Sequence, residues 1–331
     1  MKRNDLDGFG ALISLLSDGA VKSGSALAVS LGVTRSAVWK KIVRLQELGF
    51  EIEACQSVGY RLKQPLERLN KEVIERYLSE STPSTSFSIE VMQQVDSTNR
   101  TLLDRARSST HSGLTFLLAE HQLNGRGRRG RLWISPFGRN LYLSALWRTE
   151  HGLQGLDGLS LAIGAALASL LNDKFSVPAR LKWPNDILVD GRKLGGILLE
   201  VEGDLSGPMD VVIGVGLNID MPSAMVAVID QPNTDMLSHS NAAVSRNRVA
   251  AAVIARISET LIQFDQQGFA QFRKLWCDLD ALSGREIEIH TSSGTKSGTA
   301  RGVNEGGALL LEVGGRLHTI SAGDVSLRAV Q

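Results

Sequence analysis

A chain of 331 residues with 43% hydrophobic and 21% charged residues has the composition of an ordinary globular protein, with a sizeable core and two or three domains. Its net charge of +1 excludes a chain-wide surface for polyanions, so any contact with nucleic acid must be local. The two cysteines, Cys55 and Cys277, stand far apart, which excludes a thiolate zinc site and fits a reducing cytoplasm.

Residues 1–64 carry nine Lys/Arg against six Asp/Glu. Residues 9–16 have apolar positions at helical spacing, and 25–31 form a second short helix that stops at Gly32. Thr34 caps a third, with Val38, Ile42 and Leu45 on its inner face and Gly49 at its end. Ala28 is small where two crossing helices approach. A hairpin-like stretch over 50–62 completes a winged helix-turn-helix pattern. The outer face of the third helix offers Arg35, Ser36, Trp39, Lys40 and Arg44 to DNA. The other use of such a domain is dimerisation or protein contact.

Residues 64–70, with Pro65, read as a linker. A short helix is expected over 71–78 and a loop over 79–88, which is rich in Ser, Thr and Pro. Strands are expected at 89–95, 114–121, 141–147, 187–189, 194–202 and 211–219, and helices at 156–174 and 247–267. The turn Asp190-Gly191-Arg192-Lys193 joins two apolar runs as an antiparallel hairpin. Consecutive strands without helices between them favour a mixed or antiparallel sheet. The apolar run 158–171 is too short to span a bilayer, and no leader-like apolar run follows Lys2-Arg3, so no membrane association is expected. Residues 283–331 pack short strands between glycine turns at 286–290, 298–303, 308–313, 316–320 and 325–328, a small SH3-like barrel. The fold class is α+β, divided at 1–64, 65–282 and 283–331.

Residues 125–131 read Gly-Arg-Gly-Arg-Arg-Gly-Arg, four arginines on three glycines, with no acidic residue from Gln122 to Arg148. Bare glycine backbone can approach a ligand while guanidinium forks grip its oxygens, so the segment points to phosphate. Gly125-x-Gly127-x-x-Gly130 matches the dinucleotide fingerprint, but that motif must open a helix and here Pro136 and Gly138 follow. A P-loop needs Lys-Ser/Thr where Arg131-Leu132 stands. This is a phosphate loop of another kind.

Other polar clusters fall at strand ends or turns: Asp96-Ser97-Thr98-Asn99, Gln122, Lys182-Trp183-Pro184-Asn185-Asp186, Lys193 with Gly195-Gly196, and residues 214–218. Singly, each has a structural explanation. Lys193 is a solvated turn charge, Asn218 a turn cap, Trp183-Pro184 packing, and Ser97-Thr98 a helix start. Their joint occurrence with the arginine loop is much harder to explain that way.

Residues 120–144, 182–200 and 96–99 resemble the signature blocks of biotin–protein ligases. The added winged helix resembles the bifunctional bacterial form, which also represses the biotin operon. The resemblance covers essentially the whole chain in the expected order. It implies a central mixed-sheet core like class II aminoacyl-tRNA synthetases. It also implies an ATP-dependent ligase that forms biotinyl-5′-adenylate, then biotinylates a lysine of the biotin carboxyl carrier protein of acetyl-CoA carboxylase.

The implied catalytic residues are Lys193, Arg128 and Asp186. Lys193 bridges the carboxylate and the α-phosphate, and Asp186 orients or deprotonates the acceptor amine. For biotin, the resemblance implies Ser97, Thr98, Asn99, Gln122, Arg126, Gly127, Arg128, Trp133, Lys193, Gly195 and Gly196. For the nucleotide, with Mg²⁺, it implies Arg126, Arg128, Arg129, Arg131, Lys182, Asn185, Lys193, Asn218 and Arg328. An adenylate-bound homodimer on operator DNA is implied as well.

Two departures stand out. The wing, Gln56-Ser57-Val58-Gly59-Tyr60, has only Arg61 as a nearby charge. Residues 219–240 hold no Phe, Tyr or Trp, which leaves Met221, Met225 and Ile229 to cover the nucleotide. The alternatives are a biotin-sensing repressor without ligase activity, a ligase whose N-terminal domain does not bind DNA, and a lipoate ligase on the related fold. Intact Lys193, Asp186 and all four loop arginines disfavour the first, and the full arginine loop disfavours the last.

Overall fold

The computed structural model describes residues 8–56, 58–80, 87–108, 113–204, 207–240, 243–291, 294–321 and 326–329. Three helices open it, α1 (Gly10–Leu16), α2 (Gly24–Leu31) and α3 (Arg35–Glu47), followed by an antiparallel hairpin of β1 (Ile52–Cys55) and β2 (Gly59–Leu62). Ser23 caps α2 by accepting from the Ala26 amide at 3.0 Å, and Thr34 caps α3 by accepting from Ala37 at 3.2 Å. Between them Gly32 takes φ of 63°, the left-handed conformation that lets one helix stop and the next start within two residues. Leu12, Leu16, Leu27, Val38, Ile42 and Leu45 form the small core under this winged helix-turn-helix.

The expected linker is tightly held. The Leu66 amide donates to Ser17 O at 2.8 Å, and the Leu69 amide donates to Glu120 Oε1 at 2.7 Å. Glu120 is fully buried, and its other oxygen meets Arg246 Nη1 at 2.8 Å, with Arg246 only 4% exposed. The linker thus ends on a buried ion pair inside the next unit, where α4 (Lys71–Ser79) begins.

That unit is a seven-stranded sheet of β3 (Phe87–Val95), β4 (Leu114–Gln122), β5 (Leu141–Thr149), β6 (Arg180–Lys182), β7 (Asp186–Val189), β8 (Arg192–Gly203) and β9 (Met209–Leu217), in the order β3-β4-β5-β9-β8-β7-β6. Only β3 and β4 run parallel, with α5 (Thr98–Ser108) as their crossover, so the sheet is mixed as expected. Successive strand residues point to opposite faces, and both faces are covered. Phe116, Leu118, Val211 and Ile213 pack with α6 (Leu159–Phe175) and the later helices, while Leu117, Leu146 and Val212 pack with α5.

A short α7 (Ser223–Val226) follows β9, and α8 (Arg246–Gln267) and α9 (Ala270–Leu279) complete the helices. Strand β6 and helix α9 were not expected from the sequence. The apolar helical segment is also longer than expected. Leu153–Phe175 is the one span among the described residues long and apolar enough to cross a membrane, yet most of α6 is buried in the domain core.

The C-terminal unit is an antiparallel five-stranded sheet of β10 (Glu286–Thr291), β11 (Gly294–Val303), β12 (Leu309–Val313), β13 (Arg316–Ile320) and β14 (Ser326–Ala329), in the order β13-β12-β11-β10-β14. Its Ile287, Ile289, Val303 and Leu309 join the central core. Trp183 Nε1 ties it down by donating to Gly307 O at 2.9 Å, so Trp183 acts in packing.

Candidate active site

Parallel pairing of β3 with β4 brings two strand ends together, and the polar residues expected to hold a ligand meet there. Thr98, at the start of α5, donates through its amide to Gln122 Oε1 at 3.0 Å, and its Oγ1 lies 3.2 Å from the same oxygen. Gln122 Nε2 in turn donates to Ser135 Oγ at 3.2 Å. Ser144 Oγ, from β5, lies 2.7 Å from Thr98 Oγ1 and 2.6 Å from Asn99 Oδ1. Asn99 Nδ2 donates to Glu200 Oε2 at 2.8 Å. Ser97, Thr98, Asn99, Gln122 and Ser144 are all buried, so this corner presents fixed donors and acceptors away from bulk water. Gly214 makes the space, because a Cβ there would lie 2.3 Å from Asn99 Oδ1.

The arginine loop leaves β4 just beyond Gln122 and folds back on itself. Trp133 N donates to Gly125 O at 2.9 Å, Gly127 N donates to Arg131 O at 2.7 Å, and Arg126 bridges Leu132. Arg129 and Gly130 both take left-handed φ, 58° and 73°, at the tip. Gly125 is required at the neck, where a Cβ would lie 2.5 Å from Trp133 O. Arg126 Nη1 lies 4.0 Å from Glu200 Oε1, which ties the loop to the Asn99 corner. Burial, followed by the neighbouring charge of Arg129, pulls the Arg128 pKa below the usual guanidinium value, and Asp186 opposes this. Arg129 and Arg131 are exposed at the rim.

Trp133 then lies across the sheet. A Cβ on Gly216 would come within 2.5 Å of its ring, and one on Gly196 would sit at 3.6 Å, so these glycines make the floor on which the indole rests. Its Nε1 is buried with no hydrogen-bond partner, a donor held ready for an acceptor. Lys193 Nζ stands 5.6 Å from the centre of the ring and 2.6 Å from Asp186 Oδ1. The β7–β8 hairpin sets that pair, with a register shift between Ile187 and Leu188. Gly195 allows close strand approach, since a Cβ there would meet Gly216 O at 2.8 Å.

The segment after β9 returns to this hairpin. Lys193 N donates to Pro232 O and Thr234 N donates to Lys193 O, each at 2.9 Å, so residues 232–234 strap the lysine's backbone. Asn218 Nδ2 donates to Thr234 O at 3.0 Å, while its Oδ1 is buried without a partner. Met221 is buried beside Asn140, and its sulfur accepts from Asn140 Nδ2 at 3.6 Å, so it belongs to the core. Met225 reaches toward Gly49 of the helix-turn-helix unit, 3.5 Å from where a Cβ there would sit.

Asn185 serves the hairpin, donating through Nδ2 to Ile197 O at 2.7 Å, and Lys182 sits opposite Asp186 in the β6–β7 register. Arg328 lies on β14 opposite Glu288, and its side chain is outside the described residues. On α3, Arg35, Ser36, Trp39 and Lys40 are exposed, whereas Arg44 pairs with Glu47 at 2.7 Å. Ser135, Ser144 and Glu200 complete the polar network, and nothing in their local sequence assigns them a role. The one available signal was a lone polar residue inside an apolar strand run, as with Ser144 in Leu-Tyr-Leu-Ser-Ala-Leu-Trp.

Known proteins share this arrangement. Residues 91–218 match the biotin/lipoate A/B protein ligase family, 11–61 an HTH domain, and 282–328 the biotin protein ligase C terminal domain. The bifunctional ligase/repressor BirA of Escherichia coli is 37% identical over 320 residues, 97% of each chain. The biotin–[acetyl-CoA-carboxylase] ligase of Mycobacterium tuberculosis is 36% identical over 245 residues, 72% of this chain and 88% of that one. Among solved structures, the biotin protein ligase of Aquifex aeolicus in complex with biotin and ATP superposes with a TM-score of 0.62 at 28% identity, covering 73% of this chain and 99% of that one. The chain therefore belongs to the biotin protein ligase family, in the branch that carries ligase and repressor in one polypeptide.

Proposed function

We propose that this protein activates biotin with ATP and passes it to a lysine of the biotin carboxyl carrier protein of acetyl-CoA carboxylase, in the cytoplasm. The observation that carries the reading is the Lys193–Asp186 contact of 2.6 Å, set between the arginine loop and the indole of Trp133. In the first step a carboxylate oxygen of biotin attacks the α-phosphorus, and pyrophosphate leaves. The nucleophile is already an anion, so the step needs charge stabilisation and no base. Lys193 supplies a cation to carboxylate and phosphate together. Arg126, Arg128, Arg129 and Arg131 gather phosphate oxygens, with Lys182, Asn185 and Arg328 completing the nucleotide contacts.

The network of Ser97, Thr98, Asn99 and Gln122 suits the N–H and C=O groups of a ureido ring. Gly127, Trp133, Gly195 and Gly196 wall the apolar remainder. The unpartnered Trp133 Nε1 and Asn218 Oδ1 each await one ligand group. Among the described residues no three His, Cys, Asp or Glu gather into a metal site. Mg²⁺ would be held chiefly by the nucleotide's phosphates, with Asp186 as the site's carboxylate, and would neutralise phosphate charge.

In the second step the acceptor lysine's nitrogen attacks the acyl carbon and AMP leaves. The amine must lose a proton, and Asp186 orients it or accepts that proton once Lys193 has turned to the ligand. The division at 1–64, 65–282 and 283–331 assigns DNA contact to the first unit through Arg35, Ser36, Trp39, Lys40 and Arg44. We read the adenylate-bound form as a homodimer that represses the biotin operon, because a ligand held by the loop favours the state that binds it best.

The test is incubation with biotin, ATP–Mg²⁺ and a carrier domain, followed by the mass of the acceptor. One added biotinyl group is expected. Tight biotin binding with no transfer would favour a sensor without ligase activity.

A further inference from the structure

We propose that Trp39 is a sequence-specificity residue of the DNA-binding unit, reading thymine through its C5 methyl group in the major groove. This deepens the DNA-binding reading of α3 and rests on it. Val38, Ile42 and Leu45 are buried on the inner face of α3, which fixes the opposite face outward. Arg35, Ser36, Trp39 and Lys40 lie on that outer stripe, one helical turn apart. Trp39 is 55% exposed, and no other aromatic residue among the described residues falls in the exposed class.

The cations around it decide what it faces. Most of the unit's cations are already engaged. Arg44 pairs with Glu47 at 2.7 Å, Arg61 with Glu53 at 2.8 Å, Lys63 with Glu51 at 3.4 Å, and Lys22 with Asp18 at 2.7 Å. Lys41 donates to Gly8 O at 2.7 Å. Among the described residues of this unit, Arg35 and Lys40 alone lack such a partner, and both flank Trp39. The uncompensated positive charge therefore surrounds the exposed indole, and the hairpin's cation Arg61 is neutralised by the facing strand. That concentrates recognition on one turn of α3.

Bases are read from the N-terminal half of such a helix, where Trp39 stands. The indole offers a single N–H donor, and the rest of its ring is a large apolar surface with no hydrogen bond for a purine edge. The apolar feature of the major groove is the thymine methyl.

The experiment starts from duplexes enriched out of a random pool by the full-length protein with biotin and ATP–Mg²⁺ present. Each thymine of the enriched duplex is then replaced singly by deoxyuridine, which removes the methyl and keeps the pairing. Affinities of wild type, Trp39→Ala and Trp39→Phe are compared at fixed salt. At one thymine per half-site the replacement should weaken wild type roughly fourfold, the value of one buried methyl. Trp39→Ala should already bind more weakly and lose nothing further there, while Trp39→Phe keeps part of the effect. Wild type indifferent to every replacement, or Trp39→Ala that binds or responds like wild type, overturns the proposal and turns the indole into a protein contact. Failure to enrich any duplex overturns instead the DNA-binding reading beneath it, and the proposal falls with it.

Discussion

The Phe50 ring, between α3 and β1, lies 5.5 Å from the Phe137 ring at 46° to it. Phe137 ends the arginine-loop segment, yet it is 7% exposed and belongs to the core of the helix-turn-helix unit. The segment is thus anchored twice, at Gly125 by the Trp133 amide and at Phe137 in the other domain. Any movement of residues 126–132 takes place between fixed ends.

Truncating that anchor should cost about 3–5 kcal/mol, the usual price of emptying a buried phenylalanine site. Urea unfolding of Phe137→Ala reads this directly. A double-mutant cycle with Phe50→Leu and Phe137→Leu should return a coupling of about 0.5–1.5 kcal/mol. Strict additivity would mean that the rings share a core without supporting each other.

Lys193→Ala should lower biotin-dependent pyrophosphate release roughly 10²- to 10³-fold, as when a transition-state charge donor is lost. Its circular dichroism should stay that of wild type. Asp186→Asn should slow single-turnover transfer from preformed adenylate more than it slows adenylate formation. Equal slowing of both steps would remove the separate role of Asp186 in the second.

Arg246→Met leaves buried Glu120 with only the more distant Arg68, whose Nε lies 3.6 Å from Oε1, and strips the donor to Asn140 O, which Arg246 Nη2 meets at 2.8 Å. The expected destabilisation is about 3–5 kcal/mol. Adding Glu120→Gln should recover part of it in chemical denaturation, because the under-compensated charge disappears. A double variant as unstable as the single one would show that the hydrogen bonds, not the charges, hold the linker.

Asp280 gives a pH signature. One of its oxygens accepts from the Leu282 amide at 2.9 Å and the other is buried without a partner. Burial pushes its pKa from 3.8 up to about 6, with the Leu282 bond opposing. The folded state therefore keeps a proton that the unfolded chain has already lost. The contribution is full below about pH 4 and is lost as pH rises through about 6, on the order of 2 kcal/mol. Melting temperatures of wild type and Asp280→Asn should nearly coincide at pH 4 and diverge by pH 8, with the variant higher. Parallel profiles would show that Asp280 ionises as easily folded as unfolded.

Features governed by near neighbours were legible in the chain. Thr34 and Gly32 mark helix ends because capping depends on a residue and the next three. The turn at 190–193 and the loop at 125–131 likewise need only adjacent residues. The candidate-site residues Ser97, Thr98, Gln122, Lys193 and Asp186 are legible as reactive types at strand ends and turns, but their partners are not. Helix α9 and the three-residue strand β6 are not legible in the chain, the latter because three residues carry no periodicity.

By itself the sequence determined the local conformations and the kinds of chemical group on offer, since both follow from side chains within a few positions of one another. Tertiary structure decided which groups meet. Ser144 and Glu200 join the Asn99 corner only because β9 lies between β5 and β8, and Glu120 finds Arg246 126 positions away. Phe137 leaves its own domain's core for another's by the same logic. A strand or loop residue's periodicity says which way it points, but its neighbour is chosen by the global packing that buries the most apolar surface with every polar group satisfied.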